Sequence, residues 1–173
     1  MIMRKYAMVI LVILLFSGLA FPLIEMLGVF TDKSQIENGF RQASKAAIFK
    51  SYGFADRANQ TYQINFNSFV KEYANIFEEA LDVRLINGAS IDSMSEAQIE
   101  ATDFIFRSSD ERYNDIIVNF QYSNIGMESE CNVTVKSKYK YKTNYLKMAE
   151  TANPSLAFFE IGIDRDILLV VPN

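Results

Sequence analysis

Apolar and polar positions divide the chain into two unlike parts. From Tyr6 to Phe30 it runs YAMVILVILLFSGLAFPLIEMLGVF, with Glu25 as the single charge. At a helical rise of ~1.5 Å per residue the stretch is about 37 Å long, enough to cross a ~30 Å hydrocarbon layer with some tilt. Arg4 and Lys5 precede it and Asp32 follows it. Basic residues favour the cytoplasmic flank, which predicts a cytoplasmic N-terminus and an exported remainder. Residues 1–30 are thus read as a basic flank and transmembrane signal anchor, and residues 31–173 as one exported domain. Gly18 and Ala20 are spaced as at a signal-peptidase site, so cleavage after Ala20 is the alternative. Retention is favoured, because Leu23, Ile24, Met26, Leu27, Val29 and Phe30 continue the apolar run.

The helix is expected to continue past the anchor. Asp32 to Lys50 contains no proline, and Ile36, Phe40, Ala43 and Ala47 recur at helical spacing. Such a stripe is covered either by the chain's own sheet or by neighbouring subunits. Gly39, Ala43 and Ala47 are small enough for close approach of another backbone. Together with Glu25 they are the candidate subunit contacts. A carboxylate in lipid is costly and calls either for a partner or for snorkelling to the interface.

Gly53 breaks the pattern, and Ser51 to Thr61 reads as a polar connection. A second helix is predicted over about Asn67 to Leu81, capped by Asn67 or Ser68. Phe69, Val70, Tyr73, Ile76, Phe77, Ala80 and Leu81 share its apolar face. Val83 to Ile86 is a short strand ended by Asn87-Gly88. Ser95 to Thr102 is a short helix or an exposed loop, and Thr102 to Phe106 a brief extension. Asn114 to Tyr122 is the first strand of a hairpin, with Ser123 to Glu128 as its loop. Glu130 to Thr143 alternates without a break. Cys131, Val133, Val135, Ser137, Tyr139 and Tyr141 lie on one face; Asn132, Thr134 and Lys136, Lys138, Lys140 and Lys142 lie on the other. That pattern requires an antiparallel strand with one wet face. After a helical turn over Tyr145 to Ala152, Leu156 to Ile163 and Ile167 to Val171 read as strands around an Asp164-Arg165-Asp166 turn. The fold class is α+β: a long N-terminal helix, and a second helix on a small antiparallel sheet with a late hairpin.

The lysine column is the most distinctive polar feature. Lys136, Lys138, Lys140 and Lys142 are candidate contacts to anionic lipid or to a partner. The alternatives are a solvated sheet face or a guarded edge strand.

Composition narrows the chemistry. The chain holds 17 basic and 21 acidic residues; setting aside Arg4, Lys5 and Glu25 leaves 15 and 20, a net −5 on the exported part. That argues against nucleic acid, whose binders present basic surfaces. There is no histidine, and Cys131 is the single cysteine. No Ser-His-Asp or Cys-His site and no cysteine-based zinc site is expected. Glu78 with Glu79, and Asp164 with Asp166, are the paired carboxylates, and neither pair sits in a catalytic motif. The reading is non-enzymatic, with no cofactor, metal or small-molecule substrate.

PLIEMLG followed by IENGFRQASKAAIFKSY resembles the TadE-like family of minor pilins and pseudopilins of tight-adherence pilus systems. In that family an apolar helix with an acid near its outer end runs into an amphipathic, alanine-rich helix, and a small domain with a late β-hairpin follows. The pilins of these systems are cut at a glycine before the apolar run, and nothing between Met1 and Tyr6 matches that site. The resemblance implies a structural or assembly subunit of a bacterial surface pilus or envelope secretion apparatus. Its partners would be the membrane and other pilin-like subunits, including copies of itself. The alternatives are a bitopic envelope protein that binds another envelope protein, and a signal-peptide-cleaved secreted binding protein.

Overall fold

Residues 2–51, 64–87, 91–110, 113–125, 128–152 and 160–169 are described by the computed structural model. Helix α1 (Ile2–Ser51) is continuous over 50 residues, with Pro22 inside it. Among the described residues nothing packs against its first half. Its most apolar stretch is wholly unburied, and α1 is long and apolar enough to cross a membrane. From Glu25 onward burial becomes periodic, falling on Glu25, Gly28, Asp32, Ile36, Gly39, Phe40, Ala43 and Ala47. One stripe at three- and four-residue spacing thus runs from the apolar half into the domain.

That stripe is covered by a helix, where the domain's own sheet was the expected cover. Helix α2 (Phe66–Leu81) is capped by Asn65, whose side chain accepts from the Ser68 amide. Asn65 takes the role expected of Asn67 or Ser68, one residue before the helix begins. Phe66, Phe69, Val70, Tyr73, Ala74, Ile76 and Phe77 are buried along it, and Ala80, expected on this face, is exposed. Gly39 explains the close approach of α1 and α2: a Cβ built there would lie 2.7 Å from Leu81 Cγ. Any larger residue would hold the helices apart.

The strands β1 (Val83–Leu85), β2 (Phe104–Ser108), β3 (Ile116–Ile125), β4 (Glu128–Lys138) and β5 (Glu160–Leu168) form a five-stranded sheet in chain order. All neighbours are antiparallel, so the fold is α+β as the element pattern requires. A 3₁₀ turn (Ile91–Ser93) and a short helix α3 (Glu96–Glu100) link β1 to β2, and α4 (Asn144–Ala152) lies between β4 and β5. The inner face of the sheet meets α1 and α2 through one core. Tyr73 stacks on Phe77 at 5.5 Å and meets Phe120 edge-on at 5.2 Å, while Phe77 meets Phe106 at 5.1 Å. Each such side chain, fully buried, contributes roughly 1.5–3 kcal/mol of transfer free energy.

Strand boundaries differ from expectation: β1 ends at Leu85, β2 is shifted from 102–106 to Phe104–Ser108, and β3 begins at Ile116 and runs on to Ile125. The hairpin loop is shorter, because Ile125 still pairs with Glu128. The last strand does not turn at Asp164-Arg165-Asp166 but runs straight through it. Asp164 and Asp166 both accept from Asn132 Nδ2, at 2.9 and 2.8 Å, so the neighbouring strand supplies the partners that make strand viable there. β4 ends at Lys138, short of Thr143. Beyond it, Asn114 Nδ2 donates to the carbonyls of Lys138 and Tyr139, and the chain leaves the ladder for α1. The expected connection over 52–61, Gly88 of the first turn, Gly126 of the hairpin loop, and residues 156–159 and 170–171 lie outside the described residues.

Candidate functional site at the helix–domain junction

Where α1 passes from its bare half to its packed half, the segment from Tyr139 to Thr143 docks on it. Once β4 has ended, the amides of Lys142 and Thr143 have no strand to pair with, and a backbone donor left without an acceptor inside a protein is unfavourable. Glu25 supplies the acceptor. Thr143 N–H donates to Glu25 Oε1 at 2.6 Å, and Lys142 N–H is shared between Oε1 and Oε2 at 3.1 and 3.3 Å. Glu25 is 2% exposed. Hydrogen bonds to a charged acceptor are worth about 1.5–3 kcal/mol each, enough to offset much of the burial of the carboxylate.

One turn on, Gly28 leaves room for Tyr139: a Cβ at Gly28 would collide with the Tyr139 hydroxyl. Burial, and then the adjoining Glu25 carboxylate, push the Tyr139 phenol above its ordinary range, so it stays protonated and able to donate. A further turn on, Asp32, itself buried, accepts from Lys142 Nζ at 3.0 Å. The same ammonium lies 5.8 Å from the centroid of the Tyr139 ring, within cation–π range. Higher up, Tyr113 Oη donates to Gln35 Oε1 at 2.6 Å, and Arg165 of β5 approaches Glu37 at 3.8 Å. The domain is therefore fixed to α1 by polar contacts from Glu25 to Glu37, and by apolar packing beyond.

The four candidate subunit contacts are all turned inward. Glu25 is occupied by the chain's own backbone. Gly39, Ala43 and Ala47 are buried under α2 and the core, with Ala43 and Ala47 at 0% exposure. Small residues did permit close approach, but the approaching backbone belongs to the same chain. The Glu25 carboxylate is thus turned to the chain's own amides and not to the surface.

The lysine column splits. Lys136 and Lys138 are exposed on the outward face of the sheet, whereas Lys142, beyond the end of β4, swings to Asp32. The edge-guarding alternative does not apply, since β4 lies between β3 and β5. Lys136, Lys138 and Lys140 line an open pocket of about 720 Å³, together with Arg107, Ile117 and Glu160. Arg107 is held there by a two-point bond to Asp115, 2.9 Å at each oxygen. Gly162 lies opposite Lys136 in register, and open space stands where its side chain would be.

Sequence reasoning overlooked Gly28, Asp32, Tyr139 and Thr143. A signal existed: Glu25, Gly28 and Asp32 extend the stripe of Ile36 and Phe40 backwards at the same spacing, which marks a buried polar face on an apolar helix. Of the paired carboxylates, Glu78, Asp164 and Asp166 have structural partners, and Glu79 is exposed. Glu78 accepts from the Leu85 amide at 2.6 Å, and Asp164 and Asp166 share Asn132. Among the described residues no group of three or more metal-ligating side chains comes together. Neither a protein-family model, nor a curated protein, nor a solved structure matches this chain.

Proposed function

We propose that this protein is a membrane-anchored structural or assembly subunit of a bacterial surface pilus or envelope secretion apparatus, of the TadE-like minor pilin kind. Its N-terminus would lie in the cytoplasm and residues 31–173 outside. The observation that carries the reading is the single helix whose first half is bare and apolar and whose second half is the core of the domain. A subunit that assembles through its membrane helix needs a domain in fixed orientation to that helix, and the contacts from Glu25 to Glu37 supply this rigidity. With the Gly39–Ala47 strip occupied internally, the helix surface offered to neighbours is the bare half, including Leu14 and Phe16.

A photo-crosslinking amino acid placed at Leu14 in the full chain tests this in intact cells. The expected products are a ladder of adducts to copies of the chain or to similarly small membrane subunits. Monomer alone, at Leu14 and again at Phe16, would overturn assembly through the helix. The outward pocket favours a second reading, in which the domain binds another envelope protein outside any filament. That reading predicts adducts from probes on the sheet face and none from the helix.

A further inference from the structure

The geometry points to the pocket on the outward sheet face as a site for the phosphate headgroup of an anionic phospholipid in the membrane that α1 crosses. The inference rests on α1 being a membrane helix, and not on assembly into a filament.

Height along α1 is the first argument. Tyr113, part of the pocket lining, donates to Gln35. Lys138 and Lys140, at the other end of the lining, adjoin the segment that docks on α1 at Glu25 and Asp32, where the bare half ends. The pocket therefore starts beside the membrane surface, in reach of the headgroup layer, and extends outward to the level of Gln35.

Charge is the second. Lys136 and Lys138 face the pocket, and neither forms an ion pair among the described residues. Asp115 neutralises Arg107 and Glu160 stands opposite Lys138 in register, so the three lysines leave the pocket a modest net positive charge on an otherwise acidic domain. Room is the third. Gly162 opposite Lys136 leaves the floor open, and the partly exposed Ile117 beside the ammonium groups offers apolar surface. A free inorganic anion has no use for that surface, whereas the glycerol and first methylenes of a phospholipid do.

The test uses the full chain in neutral detergent, titrated with phosphatidylglycerol or phosphatidylcholine, with bound lipid counted by native mass spectrometry. The wild-type chain is expected to retain phosphatidylglycerol in preference. Lys136→Gln with Lys138→Gln should weaken that binding roughly 25-fold, from about fivefold per lysine near an anionic surface. Gly162→Leu puts a side chain on the floor opposite Lys136 without changing any charge and should weaken the preference as well. Lys45→Gln with Lys50→Gln, exposed lysines on α1 away from the pocket, should retain it. Equal retention of the two lipids by the wild type overturns the site, as does full preference in the Gly162→Leu chain. Circular dichroism checks folding, and if the double lysine variant unfolds, Gly162→Leu decides alone. Displacement by millimolar inorganic phosphate would reassign the pocket to a free anion and overturn the lipid. A chain that needs detergent yet shows no lipid preference loses only this inference; one that stays soluble without detergent loses the anchor reading too.

Discussion

Thr143 N–H and the Glu25 carboxylate meet at 2.6 Å across 118 residues of sequence. The contact joins the end of the apolar half of α1 to the segment that follows the longest strand of the sheet. Lys142 adds a second amide to Glu25 and a side-chain ion pair to Asp32, so one short segment engages two successive acids on the same helical stripe. With Gly28 admitting Tyr139 between them, domain and helix share a seam with no linker in which to swivel.

Glu25→Ala removes the acceptor for two part-buried amides. It is expected to lower the stability of the full chain by about 2–4 kcal/mol, because each stranded donor carries a desolvation penalty of ~1–3 kcal/mol. Glu25→Gln keeps one acceptor oxygen and should lose less than half as much. Thermal unfolding in detergent measures both, and equal stability of all three chains would remove Glu25 from the seam.

Asp32 and Lys142 should prove energetically coupled. The acid is 2% exposed at its side chain and the ammonium 44%, which places the pair between surface and buried extremes. A double-mutant cycle with Asp32→Asn and Lys142→Met should return a coupling of about 1–2 kcal/mol. Lys136→Gln, on the open sheet face, should change stability by less than about 0.5 kcal/mol.

Ala43→Leu forces three additional carbons into a position with no exposure. The expected loss is about 1–3 kcal/mol of domain stability, read as a lower melting temperature. An unchanged melting temperature would mean that the strip faces outward after all. For the same reason a cysteine at Ala43 is a poor reporter of self-association, and such probes belong on the bare half of α1.

Gly28→Ala is expected to break the seam more severely than its single carbon suggests, since the new Cβ overlaps the Tyr139 hydroxyl. Pairing it with Tyr139→Phe should restore part of the loss. Failure of that rescue would point to backbone effects at Gly28 and away from the contact.

Cys131 is fully buried, and its thiol is pushed up to about 12 from 9.0, first by burial and then by Glu100. At pH 8 the native chain should not react with a thiol reagent, and should react fully in denaturant. Because the folded state holds this proton more tightly, its contribution to stability is complete below pH 9 and is lost as pH rises from 9 toward 12. A melting temperature that rose across that window would contradict the burial.

Much of this architecture was legible in local pattern. An apolar run long enough to cross the hydrocarbon core determines a long bare helix, and strict alternation from Cys131 to Tyr141 determines which side chains go inward. That alternation of burial persists past the end of β4, although there it is α1, at Gly28, that receives Tyr139. Tertiary structure decided what pairs with what. The stripe from Ile36 to Ala47 could be covered by a sheet, a helix or another molecule, and only the placement of Leu81 beside Gly39 selects α2. Asp164-Arg165-Asp166 resembles a turn until Asn132 stands beside it. Glu25 looks like a misplaced charge until two amides from the far end of the sheet reach it. A hydrogen bond needs a partner at a particular point in space, and when that partner lies more than a hundred residues away, no periodicity in the sequence records it.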